Sequence, residues 1–102
     1  MSRREPRTWL ELLARRVGYA RMLRVSAFVT CWAIVRDELE HEPTVEEYAE
    51  WWRTSLSTAY RDLHRFEEAL PEFEGPGDFV DQLGEVVELR QTVPSRYREG
   101  LV

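Results

Sequence analysis

Glu47-Tyr48-Ala49-Glu50-Trp51-Trp52-Arg53-Thr54-Ser55-Leu56-Ser57-Thr58-Ala59-Tyr60-Arg61-Asp62-Leu63 is the stretch on which the reading of this chain turns. Pro43 cannot comfortably extend a preceding helix, so a boundary falls there. Thr44-Val45-Glu46-Glu47 then has the Thr-x-x-Glu form of a capping box and starts a short helix. Val45, Tyr48, Ala49 and Trp52 give that helix one apolar face, and it ends near Arg53. Thr54 to Ser57 is a polar break in which Ser55 is the better N-cap. The next helix, 56–69, is expected to bury Leu56, Ala59, Leu63, Phe66 and Leu70, and Pro71 stops it.

Working outward, the same 3-4 rhythm recurs on both sides. Trp9, Leu12, Leu13 and Val17 mark a helix that stops near Gly18, within a basic N-terminal segment over 1–20. Val25, Phe28, Val29, Trp32, Val35 and Leu39 predict one long helix over 21–40, apolar on a broad face and central to the core. Gly75, Pro76 and Gly77 read as a loop. Asp78 can cap a final helix over 78–90 that turns Phe79, Val80, Leu83, Val86 and Val87 inward. Val86-Val87-Glu88-Leu89 also fits a strand, so a short β-hairpin near 79–93 is the alternative there. Residues 94–102 read as a tail. The expected fold is an all-α bundle of four to five helices in one domain, 1–102.

Its 102 residues suffice for one modest core. Apolar residues make up 43% and charged residues 32%, the balance of a globular chain rather than a disordered one. One cysteine, Cys31, excludes an internal disulfide and a cysteine metal cage. The longest apolar run, Ala27 to Val35, is too short to span a bilayer. Ser2-Arg3-Arg4 carries the arginine pair of an export signal, but Glu11, Arg15 and Arg16 stand where its apolar segment would follow. The expectation is a soluble cytoplasmic protein without membrane contact.

Charge is uneven. The formal net charge is −5, which argues against blanket coating of nucleic acid. Yet residues 1–25 hold seven arginines and two glutamates, while 26–102 hold seven arginines and seventeen acids. Lysine is absent, which a GC-rich genome explains more simply than a need for bidentate phosphate contacts does. The asymmetry itself reads as a basic arm on an acidic body, suited to a polyanion or an acidic partner.

With the long helix before them, two short helices about a tight polar break describe a helix-turn-helix. Here the chain resembles bacterial helix-turn-helix transcriptional regulators, especially winged-helix types. Those commonly read Glu-Leu-Ala, a few residues, Gly, an apolar residue, then Ser-x-Ser-Thr-Val-Tyr-Arg-Asp-Leu. This chain carries Ser55-Leu56-Ser57-Thr58-Ala59-Tyr60-Arg61-Asp62-Leu63, and the likeness covers Thr44 to Leu70. The turn glycine is Arg53 here, which requires either a left-handed arginine or a different turn. Thr54 stands where the family has an apolar residue.

The resemblance implies sequence-specific binding of double-stranded DNA by a small transcriptional regulator of bacterial or mobile-element type, with helix 56–69 in the major groove. The residues support it separately. Stepping 100° per residue from Leu63, Ala59, Phe66 and Leu70 fall inside, while Ser57, Thr58, Arg61, His64, Arg65 and Glu68 fall outside. Guanidinium groups and small hydroxyls suit guanine edges and phosphates. The expected DNA contacts are Ser55, Ser57, Thr58, Tyr60, Arg61, His64 and Arg65, with Arg3, Arg4 and Arg7 as an arm. A single such module binds weakly, so a homodimer or larger assembly is expected, with the Phe79–Val87 helix or the Trp51 region as its interface.

Plainer readings stand beside these. Without the flanking motif, Arg61 and Arg65 are a solvated helix face, and Ser55 and Ser57 are caps. Trp9 and Trp32 read as core, and Cys31 as a small buried apolar residue. Glu42, Glu46, Glu47 and Glu50 repel phosphate unless they point away. Glu38 and His41 have the i, i+3 spacing of a di-iron ligand pair, but one copy is no site. No phosphate loop or catalytic triad appears, so neither an enzyme nor a cofactor is expected. The alternative function is an interaction module whose basic N-terminal helix docks an acidic partner such as RNA polymerase, a sigma factor or another regulator.

Overall fold

Helix breakers set the element order in the computed structural model, which describes residues 8–83. Thr8 caps α1 (Trp9–Val17) by accepting from the Glu11 N–H at 3.1 Å. Gly18, at φ 89°, turns the chain directly into α2 (Tyr19–Leu39), a conformation that glycine adopts without a Cβ penalty. Glu40 closes α2 in a left-handed conformation. The capping box then forms in full: Glu47 N–H donates to Thr44 Oγ1 and Thr44 N–H donates to Glu47 Oε1. It starts α3 (Val45–Trp52), which three residues separate from α4 (Leu56–Ala69).

The last element corrects the sequence reading. Helix α5 spans Pro76–Gln82 rather than starting at Asp78. Pro76 occupies the first turn, where its missing N–H costs nothing and its φ is already helical. Asp78 therefore sits inside the first turn and accepts from Glu74 N–H and Gln82 Nε2. The segment that could have formed a hairpin is helical as far as Gln82. The rest of that alternative, the expected helix to 90 with Val86 and Val87, and the tail 94–102 all lie outside the described residues.

Among the described residues helix α2 is the axis of an all-α five-helix bundle and touches each of the other four helices. Val25, Phe28, Val29, Trp32 and Val35 are its buried residues, as the periodicity requires. Around it the aromatic rings meet edge to face or stacked: Phe28 on Tyr48 at 5.3 Å, Trp32 on Tyr48 at 5.4 Å, and Phe66 on Phe79 at 6.1 Å. Trp9 reaches Phe79 from α1 at 5.4 Å. Among the described residues no charged or polar side chain is buried, and no helix is long and apolar enough to cross a membrane.

Ion pairs fasten the ends. Arg16 on α1 forks onto Glu72 beyond α4, Nη1 to Oε1 at 2.8 Å and Nη2 to Oε2 at 2.7 Å. Its Nη1 also donates to the Ala69 carbonyl. The hydrogen bonds from Arg16 lower the Glu72 carboxyl from its ordinary 4.5 to about 2. A carboxyl whose pKa is depressed by folding adds stability above its unfolded value and loses it as pH falls towards the folded one. The urea midpoint should therefore drop between about pH 5 and about pH 2, and Glu72→Gln should flatten the drop. An unchanged pH profile in Glu72→Gln would show that the fork does not contribute.

Candidate nucleic-acid interface

Helix α4 presents its outer face from a capped start. Ser55 Oγ accepts from the Thr58 N–H at 3.1 Å and donates to Thr58 Oγ1 at 2.8 Å. Ser57 Oγ lies 3.2 Å from Ser55 Oγ. The two serines and Thr58 thus form one hydroxyl cluster at the helix N-terminus, where the backbone dipole favours an anion. The preceding turn does use the left-handed option: Arg53 sits at φ 54°, ψ 45°. Its N–H bonds to Glu50 O and that of Thr54 to Ala49 O, closing α3.

The buried stripe of α4 is centred on Phe66 rather than Leu63. Ala59, Phe66 and Ala69 are the buried positions, Leu63 is half-buried, and Leu56 is 45% exposed. On a 100° wheel the shift from Leu63 to Phe66 rotates the helix by roughly 60°. That rotation decides which predicted contacts face out. Ser57, Tyr60, Arg61 and His64 are exposed. Thr58 and Arg65 swing to the flank facing α2 and are half-buried.

Arg65 Nη1 donates to Asp62 Oδ1 at 2.8 Å, so this guanidinium is held by the chain's own carboxylate. The expected outward Arg65 is therefore corrected to a structural side chain of the α2–α4 seam. With Arg24, Ala27, Phe28, Cys31, Tyr48 and Asp62 it lines a groove of about 330 Å³. Burial raises the Cys31 thiol and the Tyr48 phenol, so both stay protonated at neutral pH and neither is an activated nucleophile.

Arg61 is exposed and makes no hydrogen bond or ion pair among the described residues. Tyr60 reaches Glu46 Oε1 at 3.5 Å, and His64 lies 3.3 Å from Glu67 Oε1. Arg53, read from sequence only as a turn position, joins the exposed cations beside α4; the break between two helices was the signal for it. Arg3, Arg4 and Arg7 lie outside the described residues.

The acids divide. Glu42 accepts from Trp32 Nε1 at 2.7 Å and pairs with Arg36, so it belongs to the α2–α5 end of the molecule. Glu47 is spent on the capping box and His41. Glu46, Glu50, Glu67 and Glu68 remain exposed around the α3–α4 surface. Among the described residues no group of histidine, cysteine or carboxylate side chains could hold a metal ion. Compared with protein-family models, with characterised proteins and with solved structures, the chain has no match.

Proposed function

We propose that α3 and α4 form a helix-turn-helix and that the protein is a cytoplasmic, sequence-specific binder of double-stranded DNA acting as a small transcriptional regulator. One observation carries this reading: the outer face of α4 offers Ser57, Tyr60, Arg61 and His64 to solvent behind a hydroxyl-capped N-terminus, beside the exposed Arg53. In a major groove Arg61 can fork onto a guanine edge, Arg53 and the hydroxyls can meet phosphate, and the helix start can approach the backbone.

Arg53 separates fold from function. A non-glycine residue in the left-handed region costs on the order of 1 kcal/mol, against glycine's entropy of about the same size. Arg53→Gly should therefore leave the melting temperature unchanged or slightly higher while weakening DNA binding. Arg61→Ala should weaken binding to a selected site by about 10- to 100-fold if it reads a base. Each variant that removes a phosphate contact should also lower the salt slope by about one. Fluorescence anisotropy across a salt series, on sites selected from a random duplex pool, measures all three. No binding to any duplex at low salt by the folded protein would sink the reading.

The second reading, a protein-docking module, is favoured by Glu46, Glu50, Glu67 and Glu68 around the same surface and by the loss of Arg65 to Asp62. In it the exposed Arg21 and Arg24 of α2, with the basic N-terminal segment, meet an acidic partner such as RNA polymerase or a sigma factor. Retained capture of that partner by Arg61→Ala, with no DNA binding, would favour it.

A further inference from the structure

The central helix has two apolar faces, and among the described residues the other helices cover only one. Val25, Phe28, Trp32 and Val35 turn into the core. On the opposite side Leu23, Ala27 and Ile34 follow a spacing of four and seven, and on a 100° wheel they lie within about 40° of one another. Leu23 is 47% exposed and Ile34 42% exposed, and Ala27 is exposed between them. Trp52 continues this surface, its indole N–H donating to the Cys31 carbonyl of α2 at 3.3 Å. A helix that is apolar all round is expected to be covered all round. The regions expected to supply an interface differ: Phe79 and Val80 are already buried in the core, while Trp51 is exposed on α3.

The charges beside the stripe say what covers it. Arg24, near the start of α2, and Glu38, near its end, lie on one flank of the stripe, with Asp37 across it. All three are exposed and make no ion pair among the described residues. In an antiparallel helix pair about a twofold axis, a flank meets its own copy reversed, so Arg24 of each chain comes beside Glu38 of the other. In a parallel pair a flank meets the opposite flank of the partner at the same height, so Arg24 would lie beside Ser26 and Glu38 would have no cation to face. The midpoint between Arg24 and Glu38 is Cys31, and a crossing there also sets Ile34 of each chain over the small Ala27 of the other, a large residue against a small one.

We propose that the outer face of α2 is the interface of a homodimer in which two copies of this helix cross antiparallel near Cys31. The face is self-complementary in shape and in charge, as a twofold interface must be. The proposal does not depend on DNA binding.

Sedimentation equilibrium on the full chain tests it. At tens of micromolar the wild-type protein should sediment at twice its 12.1 kDa. Ile34→Glu should weaken association by at least roughly 100-fold, because each dimer loses two isoleucines and gains two desolvated charges. Its helical circular dichroism should be unchanged, since Ile34 lies outside the core; Leu23→Glu repeats the test should Ile34→Glu fold poorly. Arg24→Glu should weaken association and the further change Glu38→Arg should restore it. A wild-type monomer at every concentration overturns the proposal and leaves the face to another partner. A dimer indifferent to Ile34→Glu and Leu23→Glu overturns it by placing the interface elsewhere. Failure of Glu38→Arg to rescue overturns the antiparallel arrangement.

Discussion

Phe66→Ala is expected to cost about 3–5 kcal/mol of folding free energy, the range for emptying a fully buried aromatic site. Phe66 has no exposed surface. Its ring lies 6.4 Å from Phe28 of α2 and 6.1 Å from Phe79 of α5, so it joins three helices at one point. Both neighbours are themselves buried and held by other rings, Phe28 by Tyr48 and Phe79 by Trp9 and Phe73. They cannot collapse into the vacated space without breaking those contacts, which puts the cost towards the upper end of the range. A domain of this size has on the order of 5–10 kcal/mol in all. The melting temperature should fall by about 15 °C or more, read by circular dichroism at 222 nm, the standard helical band. Phe66→Leu, which keeps most of the volume, should cost about 1.5 kcal/mol or less. Equal losses in the two variants would mean that the cavity is not the cause.

That prediction depends on a detail only partly legible in the sequence. The 3.6 period located α4 and identified Phe66 and Ala59 as inward, because several apolar residues vote together on a helix face. It centred the stripe on Leu63, since Leu56, Leu63 and Leu70 recur at a spacing of seven and fall on one line of the helix. The structure resolves the choice through neighbours: Phe28 and Phe79 offer an aromatic site that Phe66 fills, and Leu63 and Leu56 are left at the edge. Tertiary packing therefore set the rotation of α4, and with it the fate of Arg65. Local signals fared better. The Thr44–Glu47 capping box, the Ser55 cap and the break at Gly18 involve residues within a few positions of one another, and each appears as the chain chemistry requires, while Arg53 takes the left-handed one of the two turns open to it. The Asp62–Arg65 pair was within reach of the same rule, being i, i+3 on one helix. Glu42 was not. Read along the chain it is one more acid beside the α3–α4 surface, and only the fold of the segment after α2 back onto that helix gives it its partners, Trp32 and Arg36.

Glu42 is also the basis of a prediction in which one substitution changes sign with its background. The carboxylate accepts from Trp32 Nε1 at 2.7 Å and faces Arg36 Nε at 3.4 Å. Arg36 in turn donates to Asp81 Oδ1 at 2.6 Å and to the Gly77 carbonyl at 3.2 Å, tying α2 to α5. A Cβ built at Gly77 would land on the Glu42 carboxylate. Gly77→Ala must therefore push that side chain away, and the buried Trp32 loses the acceptor for its indole N–H. An unsatisfied buried donor costs about 1–3 kcal/mol. Alanine's better helix propensity, on the order of 0.5–1 kcal/mol, offsets only part of this. Gly77→Ala should thus destabilise the wild-type protein by about 1–2 kcal/mol net. Glu42→Ala should cost about 1–3 kcal/mol by the same loss. In the Glu42→Ala background there is no carboxylate left to displace, and Gly77→Ala should then be neutral or stabilising. Urea unfolding of the two single variants and the double variant closes the cycle, with an expected coupling of about 1–3 kcal/mol. Simple additivity would mean that glycine is required at position 77 for its backbone and not to make room for Glu42.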